Sequence, residues 1–138
     1  MKTWAMMYLL IWVAFLDLLI VFFPSFAYLT NLDLHFLVGV LVGVLAIYVF
    51  IRVRKGPCPE RIKLITKTTA VLAVFDGALG VLLYLVASSV MAVPFHDIIV
   101  FLHFGTAVAI ITQASSSATA YDMWEEKEFV QPSAAPSS

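Results

Sequence analysis

The sequence predicts an all-α integral membrane protein, a bundle of four transmembrane helices with both termini in the cytoplasm. Three observations support this fold class: the composition, four long apolar segments and the positions of the basic residues. Hydrophobic residues make up 62% of the 138 residues, charged residues 12%, and the mean hydropathy is +1.00. Soluble domains contain about twice this share of charged residues, so the composition is typical of a membrane protein.

Each of the apolar segments is long enough to cross a bilayer, which takes about 20 residues of α-helix. The four predicted spans cover residues 4–23, 34–51, 65–87 and 95–118. They should be helical, because backbone polar groups must be paired within hydrocarbon. The first span resembles a signal peptide, but its apolar run is too long for one and contains Asp17, so we interpret it as a span.

All eight basic residues fall on one side of the predicted membrane. Lys2 precedes span 1, and Lys127 follows span 4. The others lie in or beside the connection between spans 2 and 3, and they are Arg52, Arg54, Lys55, Arg61, Lys63 and Lys67. Because positively charged connections stay in the cytoplasm, both termini are expected inside the cell, with the protein in the plasma membrane.

The C-terminal segment, residues 122–138, changes from acidic residues to Pro, Ser and Ala. Such a composition is typical of a disordered tail, here a cytoplasmic one. Residues 1–121 would then form a single transmembrane domain.

Several classes of function are disfavoured by the sequence. A net charge of −1, without a basic helix, argues against a nucleic-acid partner. The single cysteine, Cys58, cannot form an intrachain disulfide or a multi-cysteine metal site. Phosphate-binding loops, dinucleotide glycine motifs, HExxH and nucleophile elbows are absent from the sequence. The chemistry of ordinary soluble enzymes is therefore disfavoured.

Two histidines are predicted at matching depth in spans 2 and 4. His35 lies 17 residues from Arg52, and His103 lies 18 residues from Tyr121. These separations correspond to about 25 and 27 Å of helix. Since spans 2 and 4 run in the same direction, the two imidazoles can face each other across the bundle near the outer face. Ionisable groups inside a membrane are costly and usually functional.

Two level imidazoles on parallel helices are a suitable pair of axial ligands for haem iron. Gly39 and Gly43 follow His35 by four and eight residues, and Gly105 follows His103 by two. These glycines provide a smooth surface for a porphyrin. The same spacing of small residues is also common where two membrane helices simply pack together.

The third histidine, His96, lies seven residues before His103, about 10 Å nearer the outer surface on the same helix face. It is predicted to contact haem propionates, to replace one of the ligands, or to be an ordinary interfacial residue. A copper site built from His35, His96 and His103 is a further alternative, because imidazole also suits copper.

Two acids are predicted below the histidines. Asp17 on span 1 and Asp76 on span 3 lie about 20 and 14 Å from the inner side when counted from Trp4 and Lys67. They are candidates for a proton-transfer or quinone site. The alternative is that they form hydrogen bonds between helices, to Thr68, Thr69, Ser88 or Thr106, or to a partner subunit.

The overall pattern resembles the four-helix membrane-bound cytochromes b. The resemblance is carried by His35 in DLHFLVGVLVG and His103 in HDIIVFLHFGTA, and it covers approximately residues 4–120. It implies haem b and electron exchange with a quinone or a partner redox subunit. Family members that carry electrons across the membrane commonly use two haems and four histidines, whereas this chain has three histidines, so at most one bis-histidine haem is expected.

The expected function is that of a cytochrome b subunit which binds one haem near the outer face and relays electrons between quinol and a redox partner. The alternative is a non-catalytic accessory subunit of a larger, respiratory-type membrane complex, with its small-residue surfaces packed on other membrane subunits. A transporter is less favoured, because the prolines flank the predicted spans instead of interrupting them.

Overall fold

The computed structural model of the chain describes residues 2–22, 31–88 and 95–130, and four α-helices account for most of this part. The helices are α1 (Thr3–Ile20), α2 (Asn31–Lys55), α3 (Glu60–Ala87) and α4 (His96–Val130). Each helix is long and apolar enough to cross a membrane. The prediction of an all-α protein with four such helices is confirmed.

The helices α2 and α3 extend beyond the predicted apolar spans, because backbone hydrogen bonding continues into polar sequence. The last turn of α2 contains Arg52, Arg54 and Lys55, whose positive charges favour the negative end of the helix dipole. The connection that follows contains Pro57 and Pro59, which lack the backbone N–H that a continuing helix needs. The next helix begins at once with Glu60 in its first turn.

The last helix also differs from the prediction. The sequence suggested a tail from residue 122, but α4 continues to Val130 and is 35 residues long. Its extension is held by Tyr121 and Trp124, whose rings lie 5.4 Å apart and pack against the hydrophobic core. Residues 131–138, the rest of the predicted tail, lie outside the described part of the chain.

The helices form a ring in which α1 contacts α2 and α4, and α3 contacts α2 and α4. Consecutive helices run antiparallel. The second half of α1 meets the start of α2. On α3 and α4, Asp76 meets His103, whereas the earlier residue Thr69 meets the later residue Gln113. As a result, α2 and α4 are parallel and diagonally opposite, as the predicted pairing of their histidines requires.

Among the described residues, tight packing is confined to the half of the bundle that ends at the connection between α2 and α3. The buried apolar residues of this half are Met7, Leu10, Ala14, Val42, Leu45, Ala46, Val49, Val53, Cys58, Ile62, Ala70, Ala73, Ile110, Ala114 and Ala118. The outer surface carries large apolar side chains such as Trp12 and Phe101, a pattern typical of a protein surrounded by lipid. The other half of the bundle is more open and contains the candidate site.

A candidate cofactor site between four helices

Each helix contributes one ionisable side chain to a single layer of the bundle. These residues, the polar layer, are Asp17 on α1, His35 on α2, Asp76 on α3 and His103 on α4. Their side chains are only 15–23% exposed. In surroundings this apolar, charged or strongly polar groups are stable only when they have partners.

The imidazole of His35 contacts Asp17 through its Nδ1 atom. Nδ1 lies 2.9 Å from the carboxylate Oδ1 of Asp17 and donates to the backbone carbonyl oxygen of the same residue at 3.1 Å. A carbonyl oxygen can only accept, so Nδ1 carries the hydrogen. In the neutral ring the lone pair is therefore on Nε2, which is the nitrogen available to a ligand.

The imidazole of His103 has a similar relationship with Asp76. Its Nδ1 atom lies 2.9 Å from Oδ1 of Asp76. The hydroxyl of Thr106 donates to the same carboxylate oxygen. This contact joins α3 and α4, so for Asp76 the structure forms one of the interhelix hydrogen bonds of the alternative interpretation.

Two atoms of the polar layer, Oδ1 of Asp17 and Nδ1 of His103, are buried without a hydrogen bond. Each lies 2.9 Å from its partner, so the distance is that of an ion pair, but the angles are not those of a hydrogen bond. We therefore describe both as close polar contacts. Buried polar atoms without a hydrogen bond are rare, and the soft last torsion of an imidazole would let a bound group rotate the ring into line.

The two imidazoles approach each other from diagonally opposite helices, with ring centroids 5.9 Å apart and planes at 75°. The predicted matching depth of His35 and His103 is confirmed. Bonds of about 2.0–2.1 Å from one metal ion to a nitrogen of each ring would place the ring centres about 6 Å apart. The observed centroid distance is close to this value, and it also lies within the range of an ordinary edge-to-face contact between two rings.

Cavities lie on both sides of the polar layer, and both are lined by all four of its residues. The larger, about 490 Å³, lies between α2 and α3, and the smaller, about 170 Å³, lies between α1 and α4. The glycines lining the larger cavity are Gly39, Gly43, Gly77 and Gly80. At Gly43 and Gly77 an added Cβ atom would meet nothing within 4 Å, so these positions leave open surface.

The predicted depth of the two acids was wrong. Asp17 and Asp76 do not lie below the histidines but are in contact with them. The count for Asp76 started at Lys67, whereas α3 begins at Glu60. Counted from there, Asp76 is 16 residues into the helix, about 24 Å instead of the predicted 14 Å.

Two predicted site residues are not brought to the polar layer. His96 is exposed at the start of α4, where its Nδ1 lies 3.3 Å from Asp97 Oδ1, and it lines neither cavity. Gly105 also lines neither cavity, and an added Cβ there would meet nothing within 4 Å. Within the described ranges, no three His, Cys, Asp or Glu side chains are grouped as metal ligands, so the copper site of three histidines is not formed.

The roles of two residues at the candidate site were not predicted from the sequence. Gly80 accommodates the ring of His103, a contact that the sequence did not predict. Its position one turn after Asp76 was the available signal. Tyr84 was not singled out, but its hydroxyl donates to Asp33 Oδ1 at 2.9 Å, beside Phe36 at the wall of the larger cavity.

No family model, curated protein or solved structure matches this chain. Its function is therefore inferred from the chemistry of the polar layer. Zinc and copper sites built from side chains commonly have three or four protein ligands, and among the described residues no three His, Cys, Asp or Glu side chains are grouped to hold a metal ion. Two imidazoles are sufficient for haem iron, because the macrocycle supplies the remaining four nitrogens.

Proposed function

We propose that this protein is a membrane cytochrome that binds one haem b, with His35 and His103 as axial ligands, and transfers electrons. The observation that carries the proposal is the approach of the two imidazoles from diagonally opposite helices, 5.9 Å between ring centroids. Each imidazole has its Nδ1 atom next to an aspartate, which leaves Nε2 for the iron.

The larger cavity supports the proposal because it offers an apolar surface beside both histidines. Gly39, Gly43 and Gly77 line it, so a flat macrocycle could approach the backbones of α2 and α3. When bound, haem supplies a one-electron carrier that alternates between ferric and ferrous iron. The protein's part is to hold the ring in a water-poor bundle and to set its reduction potential.

The distribution of charge supports a site in the outer half of the membrane. The packed half of the bundle ends at the basic connection around Arg52 and Arg61, which the positive-inside rule assigns to the cytoplasm. The polar layer lies farther from that connection. Both termini would be cytoplasmic, and the haem would exchange electrons near the outer face with quinol or with a redox partner subunit.

A reduced-minus-oxidised visible spectrum of the purified, haem-supplied protein tests this proposal. We expect a sharp low-spin b-type signal with one haem per chain in the wild type, and its loss in His35→Ala and His103→Ala. The matched control is His96→Ala, which removes an exposed histidine outside the polar layer and should keep the signal.

Circular dichroism of each variant separates loss of ligation from loss of fold. A wild-type protein that keeps its helicity but takes up no haem would overturn the proposal. So would a signal that survives both of the ligand substitutions.

A further inference from the structure

We infer that Asp17 and Asp76 are positioning residues which orient the two haem ligands and strengthen their bonds to iron, and that Asp76 has the larger effect. This inference rests on the proposed function. It assigns a role to two carboxyl groups that would otherwise be an unexplained cost in the apolar part of the bundle.

The first support is the arrangement of helices. Each acid lies on a helix adjacent to the one that carries its histidine, and in both pairs the Nδ1–Oδ1 distance is 2.9 Å. Metal-bound histidines usually donate their other ring N–H to a carboxylate or a carbonyl, which holds the ring and makes it a stronger ligand. In this bundle each candidate ligand has a carboxylate 2.9 Å from its Nδ1 atom, and His35 also donates to a backbone carbonyl.

The second support is the space made for these contacts. Gly39 lies beside the carboxylate of Asp17: a Cβ atom added at Gly39 would be 3.4 Å from Oδ2. Gly80 lies beside the ring of His103, with 3.2 Å between an added Cβ atom and Cε1. An alanine at Gly80 would thus crowd the ring of His103, whereas at Gly39 it would only touch the carboxylate of Asp17.

The two pairs differ in what a substitution would remove. The Nδ1 atom of His35 also donates to the backbone carbonyl of Asp17, which remains when the side chain is changed. Across the described residues, His103 Nδ1 has only the carboxylate of Asp76 next to it, and Thr106 holds that carboxylate in place. Substitution of Asp76 should therefore weaken the bond from His103 to iron more than substitution of Asp17 weakens the bond from His35.

The midpoint potential of the haem is the readout, measured at one pH for wild type, Asp17→Asn and Asp76→Asn. A carboxylate beside an axial imidazole favours ferric iron, so its neutralisation should raise the potential. A tenfold loss of the preference for ferric over ferrous haem corresponds to an increase of about 59 mV. We expect at least this change for Asp76→Asn and a smaller one for Asp17→Asn.

A further variant, Asp76→Ala, separates positioning from charge. Asparagine still offers an oxygen to Nδ1, whereas alanine offers none, so Asp76→Ala should also release haem faster to an excess of a haem acceptor. The matched control is Asp97→Asn, which removes an exposed acid of α4 and should leave potential and haem release unchanged. Folded Asp76→Asn protein that retains no haem would also support the inference.

The outcomes distinguish this inference from the proposed function. A wild-type protein without a b-type spectrum overturns both. A wild-type spectrum together with unchanged potentials in Asp17→Asn and Asp76→Asn overturns the positioning role alone. Equal increases in the two variants overturn the unequal contribution of the two acids.

Discussion

The imidazole of His103 packs directly on the backbone of α3 at Gly80, where an added Cβ atom would lie 3.2 Å from Cε1. This separation is shorter than ordinary van der Waals contact, so the glycine determines how closely α3 and α4 approach at the polar layer. The same helix carries Asp76, the partner of His103, one turn earlier. One turn of α3 thus positions the ring from two sides.

Gly80→Ala should therefore cost stability that Gly77→Ala does not. Alanine in a helix is favoured over glycine by about 0.5–1 kcal/mol, and at Gly77 nothing lies within 4 Å to oppose this gain. At Gly80 the contact with His103 should cancel or reverse it. The free energy of unfolding in detergent, measured without haem, checks the difference. Equal stabilisation by both substitutions would show that the ring of His103 moves away from the added methyl group without loss of stability.

The extension of α4 beyond the predicted tail boundary should contribute to stability through Trp124. This residue packs against the core and against Tyr121, whereas its neighbour Met123 is 54% exposed. Trp124→Ala should lower the free energy of unfolding by about 1–2 kcal/mol, less than a fully buried tryptophan because the side chain is half-buried.

Met123→Ala is the control and should change the same free energy by less than about 0.5 kcal/mol. Chemical unfolding followed by circular dichroism measures both variants. If the two variants were equally stable, the contact of Trp124 with the core would not stabilise the protein.

The thiol of Cys58 should react slowly in the folded protein. Burial raises the pKa of Cys58 above its ordinary value, and the thiol donates to the carbonyl of Val53 at 3.4 Å in the connection between α2 and α3. The thiolate is the nucleophile, so less of it is present at any given pH than in the unfolded chain. Alkylation by iodoacetamide, followed by mass spectrometry, measures this reactivity.

The sign of the pH dependence follows from the same shift. A raised pKa in the folded state means that the neutral thiol is favoured by folding. The contribution of this thiol to the free energy of unfolding is fully present below the pKa of the unfolded state. It is lost as the pH rises through the pKa of the folded state. Alkylation should accelerate with pH and should be faster in denaturant at every pH. A folded protein that reacts as fast as the denatured chain would contradict the burial of this thiol.

Parts of the candidate site were predictable because they depend on one helix at a time. His35 and His103 were placed at the same depth by counting from the ends of their own spans, and their rings do meet. The count failed for Asp76, because it started at Lys67, near the predicted start of the third span, while the helix begins at Glu60. Charged residues at a helix end lower the hydropathy without interrupting the backbone hydrogen bonds.

The sequence by itself determined the four helices and their apolar lengths, since composition and the spacing of charged residues are properties of each segment alone. Only the tertiary structure decided that the helices form a ring with α2 opposite α4, and that Asp17 pairs with His35 and Asp76 with His103. These pairings depend on how far each helix slides and turns against its neighbours. That placement is determined by close contacts such as Gly80 on His103, which join residues distant in the chain and therefore leave no periodic signal within one segment.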